Sequence, residues 1–461
     1  MFSFSAKMCT AVVVAAVIFI AAGAVYAACD SAQFQGILDN VFGDDGHGNL
    51  PSTVGYSAFL KSPSCSWAGA VGKANINRFE PAEDLTVAHQ MVLGSLTKMF
   101  TAYVTLRQVD AGTLSLDNTV HQFFTPQELA DLAGACTTDC PDFSGATILD
   151  LLDATHTFDD FVVANRDRDS LGLPDTLQML LRELLKFIGR ETVPDPAQQT
   201  AHELLKAVNV RRNLNYQGFE TPNFGNTGYQ LLGIILERVT SKSYEELIAE
   251  NSLFGTSKPQ FGFYPNPPLV LAANPYTVTT GAQQLGLPEN LFGIYGAEDT
   301  PHGHVAVFGR NLDNQSAVTG SGGAGSLLAT PSAYVKEFFR PLVNGGLLSP
   351  AGQVVFDNVF VPVPDEIAQD LFGATGISHG FGVFQQVGSE FGTILFKTGG
   401  TIASKCHLIH VRSSPNPDLT NATVFVCMSQ RDLFRGLLIP GPPTAQQPED
   451  VAPRFLRVLG Q

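Results

Sequence analysis

The chain has 461 residues, 15 % of them charged and 44 % hydrophobic, and a formal charge of −16 at pH 7. That length allows one enzyme-sized domain or several smaller ones, and 44 glycines with 28 prolines fit an ordered, loop-rich protein better than a disordered one. The acidic balance, with no long basic cluster, argues against nucleic acid as a partner.

At the N-terminus Lys7 precedes an uncharged run from Met8 to Cys29, which ends in Val25-Tyr26-Ala27-Ala28 with small residues where a signal peptidase cuts. The expectation is a signal peptide over residues 1–28, cleaved near Ala27, and an exported protein, periplasmic or secreted. The run is also long enough to span a bilayer, so an uncleaved anchor is the alternative. Loss of Cys9 with that segment leaves Cys29, Cys65, Cys136, Cys140, Cys406 and Cys427, an even number that predicts disulfides in an exported chain. Metal binding is the competing reading, but the chain has no Cys-x-x-Cys pair.

Residues from Ser66 to Phe79 read as a strand pair, followed by a helix over Leu93 to Asp110, apolar all round and stopped by Ala111-Gly112. The stretch 121–329 reads as mostly helical. Within it Leu177, Leu180, Leu181, Leu184, Leu185 and Ile188 recur at helical spacing, and a second helix near Ala201 to Val208 follows Pro194 and Pro196. This hairpin, near 167–210, is read as packing more readily than as a lid. Asn226 begins a strong amphipathic helix, for which asparagine is a good N-cap. Phe391 to Met428 reads as several strands.

Cys406-His-Leu-Ile-His-Val411 and Thr423-Val-Phe-Val-Cys427 form two of these strands around a loop rich in proline and asparagine. Pairing Val411 with Ala422 sets Cys406 directly opposite Cys427. Cys136 and Cys140 can close a local loop, which leaves Cys29 with Cys65 by elimination. Strand material near both ends predicts an α/β (α+β) fold, a single domain over 29–461. Its antiparallel sheet comes from 29–120 and 330–461, flanked by helices and by the helical region.

The chemistry centres on Ser95-Leu-Thr-Lys98. Residues three apart share a helix face, so Ser95 and Lys98 are neighbours. A lysine desolvated inside an apolar helix has its pKa lowered and can accept the serine proton. On its own the motif is close to chance, and a capping serine beside an unrelated lysine is the plainer reading. Asn226 can equally be a cap or an amide that bonds both Lys98 and a substrate carbonyl. Lys397-Thr398-Gly399-Gly400 follows Ile394-Leu395-Phe396 on a strand, where an interior glycine permits close backbone approach. A substrate could pair with that strand edge, with Lys397 facing its carboxylate and the Ser95 and Gly400 N–H groups forming an oxyanion hole. The plainer reading of Lys397 is a solvated edge lysine that blocks aggregation.

Taken in order, Ser95-Leu-Thr-Lys98, Phe224-Gly-Asn226 and Lys397-Thr398-Gly399 resemble the three signature elements of the serine β-lactamase and penicillin-binding-protein superfamily. The likeness is to class C β-lactamases, D-alanyl-D-alanine carboxypeptidases and β-lactamase-like esterases. It spans roughly Ser66 to Met428, supported by Trp67-Ala-Gly-Ala-Val-Gly72, Gly94 to Asp117, Asn226 to Gly233 and Gly323 to Thr330.

The resemblance implies a serine β-lactamase-like fold and an acyl-enzyme on Ser95 with Lys98 as base. Asn226, Lys397, Thr398 and Gly399 would bind an amide or ester such as a β-lactam, a D-amino-acid peptide or a small ester. It implies no cofactor, no metal, and a monomer acting on a small molecule or peptide. In this family the second element begins with a tyrosine that shuttles protons; here the position is Phe224, which cannot. Deacylation is therefore where activity should suffer, and the alternative is a weak or inactive penicillin-recognising homologue with a binding role. Leu151-Leu-Asp-Ala-Thr-His-Thr-Phe-Asp-Asp160 also departs from the family's His-Thr-Ser-Gly turn, a change read as affecting packing. Tyr229 is expected in the core. His302-Gly-His304 reads as an ordinary turn, and the glycosylation-type sequences at Asn314 and Asn421 as exposed loops.

Overall fold

The computed structural model describes residues 29–43, 53–75, 83–160, 205, 210–212, 225–250, 261–263, 277–280, 304–307, 327–400, 404–430 and 448–461. Helix α1 (Ser31–Gly43) precedes strands β1 (Thr53–Lys61), β2 (Ser66–Asn75), β3 (Glu83–Asp84) and β4 (Met91–Val92). A 3-10 turn, Gly94–Leu96, leads into α2 (Thr97–Asp110), followed by α3 (Pro126–Ala133), α4 (Ile148–Leu152), α5 (Asn226–Thr240) and α6 (Tyr244–Glu250). Short strands β5 (Phe261–Phe263), β6 (Thr277–Thr280), β7 (His304–Val307) and β8 (Leu327–Ala329) come next. A helical run α7 passes from Pro331–Ala333 through a π segment, Tyr334–Phe339, to Arg340–Val343. After it come α8 (Pro350–Asn358), β9 (Val361–Pro362), α9 (Asp365–Phe372), β10 (Ile377–His379), β11 (Phe384–Ser389), β12 (Gly392–Gly400), β13 (Ser404–Ser413), β14 (Thr423–Gln430) and α10 (Pro448–Leu459).

The main sheet has nine strands in the order β3-β2-β1-β14-β13-β12-β11-β10-β9, and each neighbouring pair is antiparallel. Its strands come from both ends of the chain, 53–84 and 361–430, which makes the architecture a mixed α/β fold of the expected kind. The central strands are apolar on both faces, and the period of two divides their side chains between two cores. Tyr56, Ala58, Ile394, Phe396, Ile409, Val424 and Val426 join the outer core under α1 and α10. Phe59, Leu395, Leu408 and Phe425 join the inner core with α2 and α5. The outer layer is pinned by aromatic packing: Phe455 of α10 lies 5.8 Å from Phe34 of α1 and 5.3 Å from Trp67 of β2.

Three local expectations change. Ser66 opens one strand, Ser66–Asn75, paired with β1 upstream of it and with the short β3 downstream, while residues 76–79 of the expected strand pair lie outside the described residues. β1 is hard to see in the sequence because burial on both faces removes its polar alternation. The helix expected from Leu93 starts at Thr97, because Gly94 takes φ +55 and the chain reaches α2 through the 3-10 turn. The stretch 121–329 carries short strands as well as helices, while the hairpin near 167–210 lies outside the described residues apart from Leu205 and Val210, both buried.

The cysteines pair as expected, Cys29 with Cys65, Cys136 with Cys140, and Cys406 with Cys427. Cys406 stands directly opposite Cys427, and the Val411 N–H donates to the Ala422 carbonyl at 2.9 Å. Among the described residues no helix is long and apolar enough to cross a membrane.

Candidate active site

Helix α2 is buried at every position from Thr97 to Leu106, so over these turns it has no solvent face and runs between sheet and helical layer, and only its last turn, with Arg107 and Asp110, reaches solvent. Ser95, in the turn before it, is only partly buried and sits where that packing opens. The turn is clamped from several sides. Leu93 N–H donates to the Leu327 carbonyl at 2.9 Å, Leu327 N–H to Thr97 Oγ1 at 3.0 Å, and the Tyr334 hydroxyl to the Leu96 carbonyl at 2.9 Å.

Glycines let the sheet come close to this turn. A Cβ on Gly94 would stand 2.7 Å from Gly400 N, and one on Gly399 would stand 1.9 Å from the Leu93 carbonyl oxygen. Gly382, between β10 and β11, likewise takes φ +74 and meets the Met99 backbone, its Cβ position lying 2.7 Å from the Met99 nitrogen. Gly382 is not singled out by any sequence motif. The end of β12 that carries Gly399 and Gly400 is therefore held against Ser95 by backbone contact.

Lys98 is 1 % exposed, and its ammonium donates to Ser95 Oγ at 2.9 Å and to Asn226 Oδ1. Burial lowers its pKa to about 8, against the opposing pull of the Asp160 carboxylate. At pH 7 about a tenth of such a lysine is neutral, against roughly one in three thousand for an ordinary one. The Lys98 ammonium also lies 5.9 Å from the Tyr229 ring centre. Tyr229 is fully buried, as expected, and its hydroxyl donates to the Leu152 carbonyl at 2.6 Å.

Asn226 is not the cap of α5. That position belongs to Gly225 at φ +72, which leaves the Asn226 side chain free to turn into the site. Its amide nitrogen donates to both oxygens of Asp160, at 2.9 and 3.1 Å, while Thr227 Oγ1 donates to the Asp159 carbonyl at 2.6 Å. The Asp159-Asp160 segment is thus clipped to the start of α5, where the helix dipole favours a carboxylate. The turn ending at Asp160, read from the sequence as affecting packing, therefore reaches the site itself through Asp160.

Lys397 occupies the inner face of the sheet. Register sets Phe59, Phe425, Leu408 and Lys397 side by side across four strands, and the first three belong to the inner core. Only 5 % exposed, it is no solvated edge lysine. Its ammonium rests 4.8 Å from the Phe384 ring centre, and no carboxylate among the described residues forms an ion pair with it. Burial, then the charge of Lys98, holds its pKa well below the ordinary lysine value.

His379, absent from the sequence expectations, lies beside the same Phe384 ring with centroids 4.7 Å apart, and its Nδ1 is 2.7 Å from the Asp153 carbonyl. That contact makes Nδ1 the protonated nitrogen. Burial first, then Lys397, lowers the pKa of His379 to about 3 and keeps the ring neutral.

Thr398 falls in the next cross-strand row, with His407, Val426 and Ala58, on the outer face. Its hydroxyl is 2.8 Å from His407 Nδ1. The pairing of β11 with β12 runs from Ser389 opposite Gly392 to Phe384 opposite Phe396, so β11 does not cover the Lys397–Gly400 edge. On its other side that segment pairs with β13 from Leu408 to Lys405.

The structure thus brings Ser95, Lys98, Asn226 and Asp160 into one hydrogen-bonded chain, with Gly399 and Gly400 packed on the serine turn and the charge of Lys98 acting on Lys397. Thr398 touches a different partner, and Phe224 lies outside the described residues. Among the described residues no group of three or more His, Cys, Asp or Glu side chains is placed to hold a metal.

No curated protein matches the chain. Among solved structures, D-amino acid amidase from Ochrobactrum anthropi SV3, complexed with L-phenylalanine, is similar with a TM-score of 0.62 at 18 % identity, over 93 % of this chain and 97 % of that one. A D-stereospecific amidohydrolase from Streptomyces sp. gives a TM-score of 0.58 at 17 % identity, over 87 % and 94 %. A penicillin binding protein from Bacillus halodurans gives 0.56 at 17 %, over 87 % and 95 %. The model of the Beta-lactamase family matches residues 65–409, the stretch that holds Ser95, Lys98, Asn226, Asp160 and Lys397, and the chain belongs to that family.

Proposed function

We propose that this protein is a serine hydrolase that forms an acyl-enzyme on Ser95. The observation that carries the reading is the 2.9 Å contact of a buried, pKa-lowered Lys98 with Ser95 Oγ. Neutral Lys98 takes the hydroxyl proton as Ser95 Oγ attacks a carbonyl carbon, and the oxyanion is held by the Ser95 and Gly400 N–H groups. Lys98 then returns the proton to the leaving nitrogen or oxygen, and water cleaves the ester. The Lys397–Gly400 edge, left open by β11, offers backbone pairing to an extended substrate.

The substrate class is an amide or ester bearing a carboxylate, such as a β-lactam or a D-amino-acid peptide. A buried cation with no carboxylate partner among the described residues supports it, since charge-assisted bonding would offset the cost of that burial. Similarity to enzymes named for D-configured amides fits the same class. Thr398, which faces His407, contributes by steadying the strand unless the bound substrate draws its hydroxyl away. A second reading, slow turnover with a penicillin-recognising role, is favoured by Phe224 at the tyrosine position and by the commitment of the Tyr229 hydroxyl to Leu152.

Three disulfides fit an oxidising, exported location. A signal peptide cleaved near Ala27 and a monomeric mature protein are part of the proposal. Intact-mass analysis after exposure to fluorescent penicillin and a fluorophosphonate tests the chemistry: the adduct should form on Ser95 and vanish in Ser95→Ala. No adduct from either reagent would remove the hydrolase reading. If Phe224 is the defect, Phe224→Tyr should shorten the adduct's lifetime.

A further inference from the structure

Asn226 has one amide oxygen and one amide nitrogen, and both are engaged before any substrate arrives. The oxygen accepts from Lys98, and the nitrogen donates to both carboxylate oxygens of Asp160 at 2.9 and 3.1 Å. An amide in this setting can lie only one way round, because a flip would aim N–H groups at an ammonium and an oxygen at a carboxylate. Asp160 is itself 4 % exposed, so the interaction is poorly screened. These partners leave Asn226 little capacity to hold a substrate carbonyl and assign it to Lys98 instead.

We propose that Asp160 is a positioning residue for acyl transfer: it orients the Asn226 amide on Lys98 and supplies the negative charge that balances the lysine's proton. This rests on the serine hydrolase reading above. The groups acting on Lys98 can be named from each element packed around it. The helical layer contributes Asn226 and the Tyr229 ring from α5 and Asp160 from the segment after α4. On the sheet side stand Lys397 of β12 and the neutral ring of His379 of β10, and there the influence runs from Lys98, whose charge lowers the pKa of both. Asp160 is the carboxylate in this set. Its charge raises the lysine's affinity for a proton, against desolvation, and so keeps Lys98 basic enough to accept from a hydroxyl while still able to give the proton back.

The sign follows directly. Acylation needs neutral Lys98, so its rate falls as pH drops through the lysine pKa. Removing the Asp160 charge lowers that pKa and should move the acid limb to lower pH. The experiment is the rate of fluorophosphonate labelling of Ser95 from pH 5 to 10 for the full chain, for Asp160→Asn and for Asp160→Glu, with melting curves to verify folding. Asp160→Asn is expected to shift the acid limb down by about one pH unit and to lower the plateau rate about tenfold as the Asn226 amide loses its orientation. Asp160→Glu keeps the charge, and its limb should stay with wild type while its plateau falls. If Asp160→Asn does not fold, Asp160→Ser tests the same loss of charge. A limb and plateau in Asp160→Asn that superimpose on labelled wild type overturn the proposal and leave the hydrolase reading intact. Failure of wild type to label removes the hydrolase reading, and this one with it.

Discussion

Gly399 and Gly400 are adjacent on β12, yet the structure asks different things of them. A Cβ on Gly399 would lie 1.9 Å from the Leu93 carbonyl oxygen, 2.6 Å from Leu96 Cδ1 and 3.0 Å from Leu96 N, whereas one on Gly400 would meet nothing within 4 Å. Ordinary contact begins near 3.4 Å, so Gly399→Ala must separate the strand from the serine turn by about 1.5 Å. Neither side yields easily. Leu93 and Leu96 are fully buried, and the turn is tied to Leu327, Thr97 and Tyr334.

Overpacking of this kind costs about 1–3 kcal/mol of stability. A misplacement of about 1 Å between oxyanion donors and nucleophile costs on the order of 100-fold in rate. The assay pairs thermal melting with fluorophosphonate labelling of Ser95 in Gly399→Ala and Gly400→Ala. Gly399→Ala should melt several degrees lower and label about 100-fold more slowly, while Gly400→Ala should melt with wild type. Equal melting temperatures and equal labelling in wild type and Gly399→Ala would refute the close-approach argument.

Three further outcomes follow from the same geometry. Labelling of Ser95 should rise about tenfold per pH unit up to about 8 and then level, the profile of Lys98 losing its proton; a limb that continues toward pH 10 would mean that the lysine is not desolvated. Lys397→Met should weaken hydrolysis of carboxylate-bearing substrates far more than of neutral esters, and also stabilise the protein. Because the folded-state pKa of Lys397 is lowered, the unfolded chain binds more protons between that folded pKa and about 10.4, so wild-type stability should rise with pH across that window more steeply than that of the variant, as parallel denaturant titrations would register. Tyr229→Phe removes a buried donor from the Leu152 carbonyl and should cost about 1–2 kcal/mol in unfolding while leaving the labelling rate unchanged; a large loss of labelling would show the phenol taking part in proton transfer.

The sequence by itself determined what depends on spacing along one element. Ser95 and Lys98 meet because three residues span nearly one helical turn, even where a 3-10 turn carries the first and α2 the second. Cys406 faces Cys427 because a hairpin's register is counted from its turn. The order of the three elements, and strand material at both ends of the chain, sufficed for the fold family. Tertiary structure decided whatever depends on which surfaces meet. The sequence left open whether Lys397 is solvated or buried, and its cross-strand row beside Phe59, Phe425 and Leu408 decides for burial. Asn226 and Asp160 are 66 residues apart, and no local pattern links them, since their contact exists only once the segment after α4 docks on the start of α5. Periodicity reports which side of an element is apolar, and the partner that covers that side is set by long-range packing, where the proton balance of Lys98 is also fixed.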